Sequence, residues 1–225
     1  MKPVIKGILF DLDGTLLDTA PDMALALNIQ RELHDLAPLP YSEIRPYVSH
    51  GAIAMLRIGF GININDTNFN AMREQYLHIY GENIAVKTQL FEGLSAFLKQ
   101  LEKKGIQWGI VTNKPEFLTK PLLNALNLNK RSSTVISGDT IEPRKPNPAP
   151  LFAACKEANL IPAQCIYVGD AERDIAAGRA AGMKTILAHW GYITPEDKTH
   201  EWQADDAVED STGLADYFWS NYVSE

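Results

Sequence analysis

Residues 4–10 are apolar apart from Lys6 and Gly7, and the run stops at Asp11, a pattern that predicts a buried strand. Thr19 stands ahead of Pro21 and Asp22, a helix-start signal, and Ala20, Met23, Ala24, Leu27 and Leu36 give the helix an apolar face up to Pro38 and Pro40. A second helical piece is expected from Ser42 with a break at Pro46. A third opens at Ser49-His50-Gly51, carries Ile53 and Leu56, and closes at Gly59 and Gly61. A fourth starts at Thr67 or Asn68 and carries Phe69, Met72, Tyr76 and Ile79. Between about residues 18 and 85 nothing alternates with a period of two, so this stretch reads as a helical insertion.

Strands and helices then alternate. Leu94, Phe97, Leu98 and Leu101 keep helical spacing up to Gly105, and residues 106–111 form a short apolar run. A helix begins at Pro115 with Pro121 inside it, where a kink or a late start is expected. Residues 135–136 and 165–168 read as strands. Asn147 caps a helix carrying Leu151, Phe152 and Ala154, and another helix runs through Ile175, Ala176, Arg179 and Ala180 to Gly182. Residues 185–188 are a strand, and the aromatic tail (Trp202, Tyr217, Phe218, Trp219, Tyr222) adds a last strand and helix.

This alternation predicts an α/β fold with a parallel sheet covered on both faces, whose ligands bind beyond the carboxyl ends of the strands. Three strand ends carry polar clusters: Asp11 with Asp13, Thr112 with Asn113, and Gly169 with Asp170. All three are expected at one edge. Asp11 and Asp13 lie two apart, so on extended backbone they project to the same side. Like charges that close repel unless one is protonated or both share a cation.

An ordinary strand-ending turn would use the same Asp and Gly residues. A calcium loop fails, because its sixth and twelfth positions hold Leu16 and Asp22 instead of Gly and Glu. The carboxylates Asp11, Asp13 and Asp170, with Asp174 nearby, form a hard oxygen site suited to magnesium, which commonly shares its site with phosphate. Thr112 and Asn113 at a strand-to-helix junction can hold an anion, and Lys145 can supply a compensating charge.

Composition narrows the classes further. A chain of 225 residues, 45% hydrophobic and 22% charged, is ordinary globular protein. Its formal charge of -7 argues against general nucleic-acid binding. Cys155 and Cys165 have neither metal spacing nor a disulfide framework. The run after Lys2 and Lys6 is too short for a signal peptide, and no run is long enough for a bilayer, so a cytoplasmic protein without membrane partners is expected.

The motifs Asp11-Leu12-Asp13-Gly14-Thr15, Thr112-Asn113, Lys145-Pro146 and Gly169-Asp170-Ala171-Glu172-Arg173-Asp174 resemble, in order, the four motifs of the haloacid dehalogenase (HAD) superfamily. The resemblance extends over nearly the whole chain and lies nearest the phosphoglycolate phosphatase group. The pieces Arg45-Pro46-Tyr47-Val48-Ser49-His50-Gly51, Thr112-Asn113-Lys114-Pro115 and Gly191-Tyr192-Ile193-Thr194-Pro195-Glu196-Asp197 resemble the N-acetylmuramic acid 6-phosphate phosphatase branch.

The resemblance implies a HAD-like Rossmannoid parallel-sheet core in three α/β/α layers, formed by residues 1–17 and 86–225. A small all-helical C1-type cap, residues 18–85, would be inserted after the first strand. It implies a Mg2+-dependent phosphatase for a small phosphorylated metabolite, 2-phosphoglycolate or N-acetylmuramic acid 6-phosphate, working as a monomer or homodimer. Asp11 would be the nucleophile and Asp13 the acid and base. Gly14, Thr112, Asn113 and Lys145 would hold phosphate, and Asp11, the Asp13 carbonyl and Asp170 would hold the metal. Asp174 would orient waters or Lys145. Ser49, His50, Gly51, Arg45 and Arg57 are candidate contacts to the leaving group. Two alternatives stay open: a phosphomutase of the β-phosphoglucomutase type, and a catalytically silent binding module of the same fold.

Overall fold

A computed structural model describes residues 4–223. Residues 1–3 and 224–225 of the expected core, Lys2 among them, lie outside that range. The first strand, β1 (Gly7–Phe10), is shorter than the apolar run, because Val4 is 62% exposed and only the four strand residues are buried throughout.

After β2 (Leu17–Asp18) the chain enters the helical segment: α1 (Ala20–Leu33), α2 (Tyr41–Ile44) running into a 3-10 turn over Arg45–His50, α3 (Gly51–Phe60) and α4 (Phe69–Glu82). It returns through β3 (Gln89–Leu90), which pairs antiparallel with β2. Sequence periodicity gave no sign of this two-residue ribbon. Leu36 does not extend the apolar face of α1. The helix stops at Leu33, Asp35 takes a positive φ of 57°, and Leu36 lies 41% exposed beyond it. Thr19 does precede α1, yet its hydroxyl makes no cap and donates elsewhere. Asp22 instead accepts the backbone N–H groups of Lys87 and Thr88 from the returning chain, pinning the start of α1 to the exit of the segment.

The remainder alternates: α5 (Leu94–Lys104), β4 (Gln107–Val111), α6 (Glu116–Ala125), β5 (Val135–Ile136), α7 (Ala149–Glu157), β6 (Cys165–Gly169), α8 (Glu172–Ala180), β7 (Lys184–Ala188), β8 (Asp206–Val208) and α9 (Leu214–Tyr222). Gly105, at a φ of 69°, closes α5 as expected of a left-handed C-terminal residue. Helix α6 runs unbroken through Pro121.

The sheet order is β5-β4-β1-β6-β7-β8, all pairs parallel. Side chains alternate between its faces. Ile8, Phe10, Ile110, Ile166 and Val168 pack with α5 and α9, whereas Leu9, Val111, Cys165 and Tyr167 pack with α7 and α8. The result is three α/β/α layers. The helical segment has its own cluster (Met23, Leu27, Leu56, Met72, Tyr76), which Leu118 and Tyr192 join from the sheet-bearing part. Each fully buried large apolar side chain contributes about 1.5–3 kcal/mol, so these shared residues tie the two parts together.

Candidate active site

Strands β4, β1 and β6 are hydrogen-bonded neighbours, and their next residues are Thr112, Asp11 and Asp170. Parallel register therefore brings all three to one edge. Asp11 donates its backbone N–H to Val168 at 2.9 Å and so stays fixed to the sheet.

Behind Asp11 lies Lys145, 2% exposed. Its Nζ is 2.8 Å from Asp11 Oδ1, 2.7 Å from Asp174 Oδ1, 2.7 Å from the Tyr167 hydroxyl and 2.8 Å from the Val111 carbonyl. An ammonium has three N–H groups. The carboxylates and the Tyr167 oxygen take them, while the Tyr167 O–H itself donates to the Val111 carbonyl at 2.8 Å. Buried charge of this kind persists only when paired, and here every N–H has a partner. Asp174 uses its other oxygen to accept the Ala171 N–H at 3.1 Å, at the start of α8.

Asp170 Oδ2 accepts the Ser49 hydroxyl at 2.7 Å and the Tyr192 N–H at 2.8 Å, and Oδ1 accepts Thr15 Oγ1 at 3.4 Å. Burial, with the charges of Asp11 and Asp174, pushes the Asp170 carboxyl up to about 7. Burial and Asp11 also raise Asp174, against the lowering influence of Lys145 and Arg173.

One carboxylate oxygen from each of Asp11, Asp170 and Asp174 falls within 4.8 Å of the others. Three buried carboxylates near Lys145 and Arg173 leave negative charge in excess, and their donor set is all hard oxygen. The cluster fits a divalent cation.

Asp13 Oδ1 accepts Thr19 Oγ1 at 2.7 Å and Lys114 Nζ at 2.9 Å, and Lys114 also donates to the Tyr80 hydroxyl at 2.9 Å. Both donors sit on Oδ1, which leaves Oδ2 without a protein donor among the described residues. Lys114 was absent from the sequence-based candidates. Thr112 Oγ1 accepts the Lys114 N–H at 3.1 Å. Asn113 donates its side-chain amide to the Lys145 carbonyl at 3.0 Å, and its Oδ1 is buried without a partner.

Asp11, Asp13, Thr112, Asn113, Lys114 and Lys145 line one end of a cavity of about 500 Å³ roofed by the helical segment. Ser49, His50 and Gly51 are on that roof. Burial lowers the His50 pKa, with Arg173 as the next cause.

Three expected contacts are placed elsewhere. Gly14 does not offer its N–H to a phosphate, because that N–H donates to the Leu17 carbonyl at 3.0 Å within the turn. Its lack of a side chain serves Asp170 instead: at a φ of +84°, a Cβ would stand 2.1 Å from Asp170 Oδ2. Arg45 turns away from the cavity and donates to the Trp190 and Gly191 carbonyls at 3.0 and 3.1 Å, with its guanidinium over the Tyr192 ring. Arg57 is exposed on α3 and lies outside the cavity lining.

A parallel three-layer core with this ordered set of strand-end residues defines a class. Residues 8–188 match the family of haloacid dehalogenase-like hydrolases, and the chain belongs to it. It is 43% identical over 204 residues to a phosphoglycolate phosphatase of Xanthomonas campestris pv. campestris, covering 91% of this chain and 92% of that protein. It is 38% identical over 212 residues to an N-acetylmuramic acid 6-phosphate phosphatase of Pseudomonas aeruginosa, covering 94% of each. Among solved structures, that of a predicted phosphoglycolate phosphatase from Haemophilus somnus 129pt superposes with a TM-score of 0.81 at 26% identity, over 95% of this chain and 97% of that one. The chain is thus similar to phosphomonoester hydrolases across nearly its whole length. No helix among the described residues is long and apolar enough to cross a membrane.

Proposed function

We propose that this chain is a cytoplasmic, Mg2+-dependent phosphatase that hydrolyses a small phosphomonoester through an aspartyl-phosphate on Asp11. Its substrate is 2-phosphoglycolate or N-acetylmuramic acid 6-phosphate, the compounds for which its relatives are named. The observation that carries this reading is Asp11 itself. One of its oxygens is pinned by Lys145, and Asp11 and Asp13 line the same cavity.

The carboxylates of Asp11 and Asp170, with the Asp13 carbonyl, would hold Mg2+, which when bound supplies positive charge to the phosphoryl oxygens. Asp11 attacks phosphorus, the ester P–O bond breaks, and Asp13 gives its proton to the departing oxygen. Thr19 and Lys114 both bond Oδ1, so Oδ2 is the oxygen left to pass the proton. Asp13 then takes a proton from the water that attacks the phosphorylated Asp11, releasing phosphate. Thr112 and the Asn113 N–H, which has no protein acceptor among the described residues, hold the phosphoryl oxygens. Lys145 acts through its charge, since its N–H groups are committed to Asp11, Asp174 and Tyr167. Residues 18–85 form the cap that covers the leaving group and excludes water, and residues 1–17 with 86–225 form the core.

The test is phosphate release from p-nitrophenyl phosphate, acetyl phosphate and a panel of phosphate monoesters. Hydrolysis that needs Mg2+ and stops in EDTA is expected. Release undiminished in EDTA, phosphate returned to a sugar instead of to water, or no turnover of any ester would each overturn the reading.

A further inference from the structure

Two cations on the cavity wall have no assigned partner. Arg73 on α4, half-buried, and Arg144, in the loop before Lys145, both line the cavity, and neither guanidinium makes a hydrogen bond or ion pair among the described residues. The other cations of that wall are engaged. Lys114 binds Asp13, Lys145 binds Asp11 and Asp174, and Arg173 donates to the Ser49 carbonyl at 2.7 Å.

Arg73, Tyr76, Leu77 and Tyr80 recur at helical spacing and form one stripe of α4 facing the cavity. Tyr80 marks the chemical end of that stripe, because it is bonded to Lys114 and through it to Asp13. Seven residues back along the helix axis, Arg73 begins about 10 Å away. Between the two lie the fully buried ring of Tyr76 and the partly exposed Leu77. The order along the wall is thus phosphoryl site, apolar surface at Leu77, unpartnered guanidinium.

We propose that Arg73 is the specificity-determining residue of this site: it binds a carboxylate carried by a ring-sized leaving group. This rests on the phosphatase reading above. In 2-phosphoglycolate a single methylene separates the carboxylate from the ester oxygen, so that carboxylate stays near Asp13 and leaves the α4 stripe uncovered. A phosphorylated sugar with its carboxylate on the far side of the ring lies against Leu77 and brings the anion to Arg73. A cavity of about 500 Å³ is also far larger than glycolate needs. Arginine suits the task because its planar fork pairs with both carboxylate oxygens.

The experiment compares kcat/KM for N-acetylmuramic acid 6-phosphate, N-acetylglucosamine 6-phosphate (a similar ring without the carboxylate) and 2-phosphoglycolate, in wild type, Arg73→Gln and Arg73→Lys. Wild type is expected to favour the carboxylated sugar over both others. Arg73→Gln should cut the preference for the carboxylated over the carboxyl-free ring by about tenfold or more, carried by KM, and Arg73→Lys should retain much of it. An unchanged ratio in Arg73→Gln overturns the assignment. So does a wild type that handles 2-phosphoglycolate at least as well as the carboxylated sugar. If wild type hydrolyses no ester in Mg2+, the phosphatase reading itself fails, and this is visible before any variant is made.

Discussion

Asp170→Asn should make the metal-free protein more stable at pH 8. The Asp170 carboxyl is raised from 3.8 to about 7, first by burial and then by Asp11 and Asp174. A shift of that size corresponds to about 4 kcal/mol, and relaxation around the site brings the expected effect to about 2–4 kcal/mol. The sign follows from proton counting. In the unfolded chain this group ionises near its ordinary value, whereas the folded chain keeps the proton until about pH 7. Between those values the folded state holds more protons, so the stability contribution falls as pH rises and is fully lost above 7.

An asparagine has no charge to desolvate, and its carbonyl oxygen can still accept the Ser49 hydroxyl and the Tyr192 N–H. The assay is urea denaturation in EDTA at pH 5 and pH 8, repeated with Mg2+. The variant should exceed wild type by a margin that widens from pH 5 to pH 8, and Mg2+ should stabilise wild type alone. A variant less stable than wild type at pH 8 in EDTA, or a margin independent of pH, refutes the reasoning.

Lys145→Met removes the cation shared by Asp11 and Asp174. It should cost about 3–5 kcal/mol in thermal or urea unfolding and lower turnover more than about a hundredfold. Gly14→Ala places a Cβ 2.1 Å from Asp170 Oδ2 on backbone with a φ of +84°. Its apparent Mg2+ affinity, read from a metal titration of activity, should weaken about tenfold or more, and an unchanged titration would show that Asp170 tolerates the displacement.

The polar sheet edge was legible because it depends on residues that end strands. Asp11, Thr112 and Asp170 follow apolar runs directly, and a parallel sheet leaves those ends no other place to meet. The strand that leads to Asp11 ends at Phe10, so Asp11 follows the strand and Asp13 lies in the turn instead of on extended backbone, yet both residues line the cavity. Lys114 escaped notice because a lone lysine reads as solvated surface; only Tyr80, from a distant helix, completes its burial.

The β2–β3 ribbon consists of two residues on each side, too few to show any period. Arg45 looked suited to the substrate from its nearness to Ser49-His50-Gly51. The 3-10 turn over Arg45–His50 instead carries it to carbonyls of residues 190 and 191, and no local pattern reports that contact. Arg73 was hidden for a related reason. The apolar period of α4 marks Met72, Tyr76 and Ile79 as core, and a single charged residue between them, Arg73, reads as solvated helix surface.

The most direct test of the central claim is to catch the phosphoryl group on the protein. Rapid acid quench of wild type mixed with Mg2+ and a substrate, followed by mass spectrometry of its peptides, should find one phosphoryl group on Asp11. The same experiment on Asp11→Asn should find none and no released phosphate, with the fold intact by circular dichroism. A phosphoryl group on any other residue, or continued hydrolysis by Asp11→Asn, would contradict the account.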